Sequence, residues 1–432
     1  MVWSVAYATR ENHAGPPQTK LGGDRVIAPD QKMPRPFGWH NAAQFGGALN
    51  DNVFRLLVVL FLITAEGAEA ASRVSAQVGV VFVLPFLLFT PTAGRFADRF
   101  SKRTIILVVK SLEILSMALA LMVFWLHVPW AAYAVVFLMS TQSALFGPTK
   151  YGIVPELVGD HRLSRANSLL VLFTYLAIIL GTAGAPALDM LTDGNYPLGA
   201  AVLLLIAIAG WVAAWQIAVT PAQAGQGAVT PVFIGQIIRT LLQIRHDRRL
   251  MASVWAAAYF LFLGGYVQMN IIPFGMEQFG LSQQQSAYLF LPAALGIGLG
   301  AWWVGRISGS QIRLNLVPLG VMGAVFGALG MAWAAPVIWM AVGWMGLLGV
   351  SAGFFIVPLE AAIQQRSEAS SRGQVLASKG FLAWCGVLAA AGLMHVMAEM
   401  LDWSPAQGFY AIALLTNALL VIAMWLLLLA RR

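Results

Sequence analysis

Apolar runs of about 20 residues, each long enough to cross the hydrocarbon of a bilayer as a helix, recur along the whole chain. They lie near 41–64, 74–95, 104–126, 130–154, 164–188, 197–219, 250–274, 285–305, 313–334, 336–358, 374–397 and 405–430. A chain built this way folds in lipid, because with 59% of its 432 residues apolar and only 10% charged it lacks the polar surface that water demands. The segments between the runs are short, which leaves no room for a large extramembrane catalytic domain.

The net charge of +8 is explained by topology rather than by a nucleic-acid partner. With the N-terminus on the cytoplasmic side, 23 of the 26 basic residues fall in inner segments; Arg73 alone lies in an outer loop, and Arg55 and Lys110 lie inside spans. That bias predicts both termini in the cytoplasm and an even number of helices. The outer loops carry Glu66, Glu69, Asp189, Asp193, Glu277, Glu399 and Asp402, so the outer face is acidic. Trp125, Trp130, Trp333, Trp339 and Trp403 stand at the expected outer ends as interface anchors. The single cysteine, Cys385, excludes an internal disulfide or a paired-cysteine centre, and the six histidines are scattered without metal-ligand spacing. No metal, cofactor or enzymatic nucleophile-base set is expected.

Four regions follow: a disordered cytoplasmic tail over 1–40, a six-helix bundle over 41–219, a cytoplasmic linker over 220–249 and a second six-helix bundle over 250–432. In the linker, Ile234, Ile237, Ile238, Leu241 and Leu242 alternate with Gln236, Arg239, Gln243 and Arg245 at helical spacing, which predicts an amphipathic helix on the inner interface. The halves echo one another. Aligning Pro148, near the end of the fourth span, with Pro358 in the tenth sets Lys150 opposite Glu360. Two pseudo-symmetric bundles joined by an inner loop suit an alternating-access transporter with its path between them.

The second span runs into Gly94, Arg95, Phe96, Ala97, Asp98, Arg99, Phe100, Ser101, Lys102 and Arg103, which resembles the signature between the second and third helices of the major facilitator superfamily. Gly94 permits close helix approach, and Asp98 is placed to meet a helix N-terminus or a base. The counterpart after the eighth span, Gly305 to Arg313, lacks the acid. Within the superfamily the chain resembles bacterial lysophospholipid transporters. The strings that carry this are Phe45 to Asn52, Pro148 to Ile153 with Glu156, Ala166 with Asn167, and Phe354 to Leu359. Arg55, Glu360, the long tail and the lack of a fused acyltransferase depart from that pattern. The resemblance implies twelve helices in two bundles and the movement of lysophosphatidylethanolamine-type lipids from the outer to the inner leaflet of a bacterial inner membrane. It also implies re-acylation by a separate acyltransferase and a carrier that works as a monomer.

Charges inside spans are costly and mark candidate sites. Asp51 lies roughly 15 Å into the first helix, near the midplane, with Arg55 one turn further on the same face. Either the two neutralise each other for insertion, or Asn50, Asp51, Asn52 and Arg55 line the cavity, Arg55 taking a phosphate and Asp51 an ammonium. Lys110 and Glu113 form a pair within the third helix, unless Lys110 answers Asp51. Lys150 and Glu360 either bridge the halves to close the inner side or snorkel separately, and Lys379 either joins that gate or snorkels. Because each buried acid has a cationic candidate, the sequence argues against obligatory proton coupling. The runner-up, proton-coupled efflux of an amphipathic drug or siderophore, draws on Gly181 to Pro186, which partly resembles an antiporter signature. The acyl chain is expected to stay in hydrocarbon, with the headgroup passing sideways between the second and eleventh or the fifth and eighth spans.

Overall fold

The computed structural model describes residues 32–222, 233–333 and 337–429. Helices account for nearly all of it, and among the described residues there is no strand. The first half contributes α1 (Arg35–Glu66), α2 (Ala71–Arg99), α3 (Lys102–Trp125), α4 (Pro129–Gly152) with the short α5 (Val154–Val158), α6 (Leu163–Leu191) and α7 (Tyr196–Trp215). A linker helix, α8 (Phe233–Ile244), follows. The second half contributes α9 (Arg248–Phe279), the short α10 (Gln283–Tyr288), α11 (Leu291–Ser308), α12 (Leu316–Trp333), α13 (Ile338–Arg366), α14 (Arg372–His395) and α15 (Pro405–Leu429). Among the described residues, eleven helical segments are long and apolar enough to cross a membrane, and α15 supplies a twelfth apolar helix.

An α-helix pairs its backbone groups within its own segment inside lipid, and the spans tolerate internal prolines where neighbouring helices support them. Pro148 lies inside α4 and Pro358 inside α13. Where helices start in water, side chains take the free N–H groups. Asn195 accepts from Leu198 at the start of α7, and Asp247 accepts from Arg249 and Leu250 at the start of α9. Ser282 and Gln285 close a capping box at α10. Trp125, Trp130, Trp333, Trp339 and Trp403 are all exposed, as belt residues are.

Each bundle has its own apolar core. In the first it gathers around Phe54, Phe61, Phe124 and Leu203, in the second around Tyr266, Phe274, Met345 and Phe409. The tail expected over 1–40 is shorter at its inner end, because α1 begins at Arg35. Pro36 sits in its first turn, and Phe37 and His40 are fully buried against the first bundle. The rest of that tail, residues 1–31, lies outside the described residues.

The two bundles meet at the end of the molecule that carries Arg99, Lys102, Arg366 and Arg372, here called the basic face. Gly94 of α2 packs on Ala377, Gly373 and Gln374 of α14, and Gly305 of α11 packs on Ser168 of α6, at separations where any side chain on either glycine would collide. Asn167 and Gln364 exchange two hydrogen bonds, 3.0 and 2.8 Å, between α6 and α13. Phe86 stacks on Trp384 at 4.3 Å and Gly298 meets Leu172, both near mid-depth. Towards the opposite, acidic face, no hydrogen bond, ion pair or ring contact joins the bundles among the described residues. The contacts between the bundles therefore gather at the basic face and at mid-depth.

Candidate functional site

Successive residues on a helix point about 100° apart, so the polar run at the middle of α1 divides among three neighbours. Asn50 is completely buried and donates to Glu113 at 3.0 Å. That carboxylate also takes Lys110 at 2.7 Å, and both charged side chains are sealed inside the first bundle. Gly47 of α1 and Gly210 of α7 lie against the lysine, whose ammonium fills the space that their missing side chains leave. Asn50 therefore does not line the cavity as its position beside Asp51 suggested, and Lys110 answers Glu113 rather than Asp51.

Asp51 points at α4. It accepts from the Ser143 hydroxyl at 2.5 Å and from the Gln142 amide at 3.3 Å. No ion pair joins it to Arg55 among the described residues. The Arg55 guanidinium lies instead over the Phe82 ring of α2, 5.0 Å from its centre, and Phe82 leans edge-on towards Trp384 of the other bundle. Asn52 donates to the Ala48 carbonyl at 2.8 Å and its Cβ packs against Gly181 of α6. Asp51, Asn52, Arg55 and Ser143 are all half-buried, so this wall of the first bundle is polar and partly open. The self-neutralising pair that the Asp51 and Arg55 spacing allows is not formed.

Deeper towards the basic face, Lys150 donates to Thr174 at 2.9 Å, and the Lys150 carbonyl accepts from the His40 ring at 2.9 Å. Thr174 lies 3.0 Å from the Gln44 carbonyl oxygen, and the Gln44 amide donates to Asn41 at 2.9 Å. The expected bridge between Lys150 and Glu360 is absent. Glu360 pairs with Lys379 at 2.5 Å, and its other oxygen is buried without a partner. Each charge is taken within its own half, Lys150 by Thr174 of α6 and Glu360 by Lys379 of α14. Lys379 is buried rather than snorkelling, and its ammonium faces Tyr151 of the first bundle at 4.6 Å while Lys150 faces the same ring at 5.4 Å. One tyrosine thus stands between two lysines from opposite halves.

The facing wall of the second bundle is apolar. Met340, Gly343, Trp344 and Leu347 of α13 line a shallow groove. Steps of seven residues stay near one helix face, drifting about 20° each. The same face of α13 carries Phe354 and then Ala361, which packs among Phe37, Val154, Leu163 and Leu170 of the first bundle. The groove therefore lies on the side of α13 that is turned towards the first bundle.

At the basic face, Asp98 accepts from the backbone N–H groups of Gly373 at 2.5 Å and Gln374 at 2.9 Å. These are the second and third residues of α14, whose own N-cap, Ser371, supplies no side-chain bond. Asp98 therefore caps a helix of the other bundle. Its neighbour Arg99 is exposed, over Phe100. Lys102 is fully buried against Glu156 at 2.5 Å. Off the seams, Arg366 forks onto Asp247 at 2.8 and 3.0 Å. Burial pushes the Asp247 carboxyl up, but the Arg366 bonds and the Leu250 and Arg249 N–H groups outweigh it and hold the group below the usual carboxylate range.

Sequence reasoning missed Gln142, Ser143, Tyr151 and Thr174. The first two were findable as adjacent polar residues at mid-span, the same signal that drew attention to Asn50 and Asp51. Tyr151 was in view only within the Pro148 to Ile153 string, and by itself an aromatic residue in a span gives no such signal. No cluster of His, Cys, Asp or Glu able to hold a metal occurs among the described residues.

A family model described as Major Facilitator Superfamily matches residues 42–378. The lysophospholipid transporter LplT of Cronobacter sakazakii is 28% identical over 396 residues, covering 89% of this chain and 94% of the relative. That of Yersinia enterocolitica is 25% identical over 362 residues, covering 83% and 86%. Among solved structures, the human organic anion transporter MFSD10 aligns with a TM-score of 0.71 at 16% identity over 89% of this chain and 99% of that one. The fucose:proton symporter FucP of E. coli aligns at 0.70 with 14% identity over 90% and 98%. These last two are likenesses of fold.

Proposed function

The chain belongs to the major facilitator superfamily, as a membrane transporter rather than an enzyme, and from that premise we propose that it carries lysophospholipids of the lysophosphatidylethanolamine type from the outer to the inner leaflet of a bacterial inner membrane. The observation that carries this reading is the unlike character of the two walls. A polar wall of the first bundle carries Asp51, Asn52, Arg55 and Ser143, and α13 of the second bundle carries an apolar groove of Met340, Gly343, Trp344 and Leu347, with no hydrogen bond or ion pair between the bundles towards the acidic face among the described residues. A single-chain lipid has a matching pair of ends. Arg55 takes the phosphate and Asp51, one turn below, takes the ammonium. Asn50 has no part in this contact.

In this reading the basic face is cytoplasmic, which the distribution of arginine and lysine supports. The acyl chain, favoured in hydrocarbon by about 0.8 kcal/mol per methylene, reaches the site through the acidic half of the α2–α14 or α6–α11 seam. Alternating access then closes that half and opens the basic one. The delivered lipid is passed as a monomeric carrier's product to a separate acyltransferase.

One observation favours the second reading, proton-coupled efflux of an amphipathic drug or siderophore. Asp51 is held by two neutral donors, and no ion pair joins it to a cation among the described residues. Proteoliposomes given labelled lysophosphatidylethanolamine on one side separate the two. Lipid arrival at the far leaflet without a proton gradient, lost in Asp51→Asn and in Arg55→Ala while folded protein remains, supports the first reading. No arrival removes it, and gradient-driven expulsion of an amphiphile promotes the second.

A further inference from the structure

The linker helix α8 is built the wrong way round for a helix in water. Its protein-facing side buries Gln236, Ile237 and Thr240, while Ile234, Ile238 and Leu242, spaced as one stripe, are 63%, 52% and 54% exposed. A stripe of this kind turned outward suits a helix lying in the interface with its apolar face among acyl chains. Arg239, Arg245, Arg248 and Arg249 are exposed along and just beyond it. The nearby acid, Asp247, is taken by Arg366, so the exposed charge of the segment is positive and complements an anionic leaflet.

The helix also lies at a telling place. It packs against α2, α14 and α9, under the α2–α14 seam. Its Gln236 amide donates to the Gln374 side chain at 3.1 Å, and the Gln374 backbone N–H is one of the two held by Asp98. Gln374 is thus gripped from two sides, by the first bundle through its backbone and by the linker through its side chain. We propose that α8 is a strap seated in the basic-face leaflet by anionic phospholipid, and that its seating holds the α2–α14 seam shut through Gln236, Gln374 and Asp98. The strap works on seam closure whatever cargo the protein carries, so it stands apart from the lysophospholipid reading.

Full-length protein in vesicles of phosphatidylcholine, alone or mixed with phosphatidylglycerol, tests it without any transport assay. Hydrogen exchange of the first-turn amides of α14 reads the seam. In mixed vesicles Gln236→Ala should speed exchange about fivefold, the weight of one net hydrogen bond. Arg239→Glu with Arg245→Glu should abolish the slowing that phosphatidylglycerol gives, since each arginine near an anionic surface carries about a fivefold effect. Asp98→Asn marks the fully released limit. A fluorophore on Ile238→Cys, in a Cys385→Ser background, should resist a water-soluble quencher at every protein-to-lipid ratio. Exchange indifferent to α8 and to lipid charge, a label open to the quencher, or protection that grows with protein density and so points to a second copy, each overturns the proposal.

Discussion

At the α2–α14 seam a carboxylate, Asp98, takes two backbone N–H groups from the first turn of α14, whereas at the seam between α6 and the pair α11 and α13 two neutral amides, Asn167 and Gln364, exchange hydrogen bonds. Both seams rest on the same steric device, a glycine (Gly94 or Gly305) that lets two helices touch. Aligning those glycines puts Gly309 where Asp98 stands, so the second half lacks the acid and its lock has moved to a neighbouring helix. Close packing is demanded by the symmetric architecture; the polar lock is not, and each seam meets it with different chemistry. A carboxylate at a helix N-terminus is charge-assisted and aligned with the helix dipole, so the first lock is the stronger one.

The largest expected effect is that of Asp98→Asn. Losing the charge while keeping the shape should shift the balance towards opening at the basic face by about 2 kcal/mol, or roughly 30-fold. Spin-label distances between the basic-face ends of α2 and α14 measure it. If that balance stays put while the amide pair proves decisive, the ranking of the two seams is inverted.

A smaller change is expected from the amide pair. Asn167→Ala or Gln364→Ala alone leaves one buried amide unsatisfied, and the double variant should recover part of the loss, with a coupling of about 1 kcal/mol. The same distances across α6 and α13 report it, and strictly additive losses would show that the pair is not a unit. The smallest effect lies off both seams. The Asp247 carboxyl is held below its unfolded value, so its contribution to stability is complete above the unfolded pKa and is lost as pH falls through the folded one. Thermal unfolding near neutral pH and near pH 3 should differ more for the native chain than for Asp247→Asn. The seam distances should not distinguish the two.

Much of this was legible beforehand. The spans follow from sums over about 20 neighbouring residues, and the α2–α14 lock was visible as Gly94 and Asp98 in one short string. The site was legible only in outline. Asp51 and Arg55 were found because charge in lipid stands out, but their partners Ser143, Gln142 and Phe82 come from other helices. Lys150 and Glu360 fall opposite one another when Pro148 is aligned with Pro358 in the sequence, yet Glu360 turns to Lys379 within its own bundle.

The amino-acid order alone decided that this chain lives in a bilayer, how many times it crosses and which face is basic, because those properties depend on local composition and on the length of each apolar run. Tertiary structure alone decided which charge meets which. A step of one residue turns a side chain by about 100°, enough to send Asn50 into the closed core and Asp51 to the half-open wall, and the neighbour waiting there is set by helix packing far away in sequence.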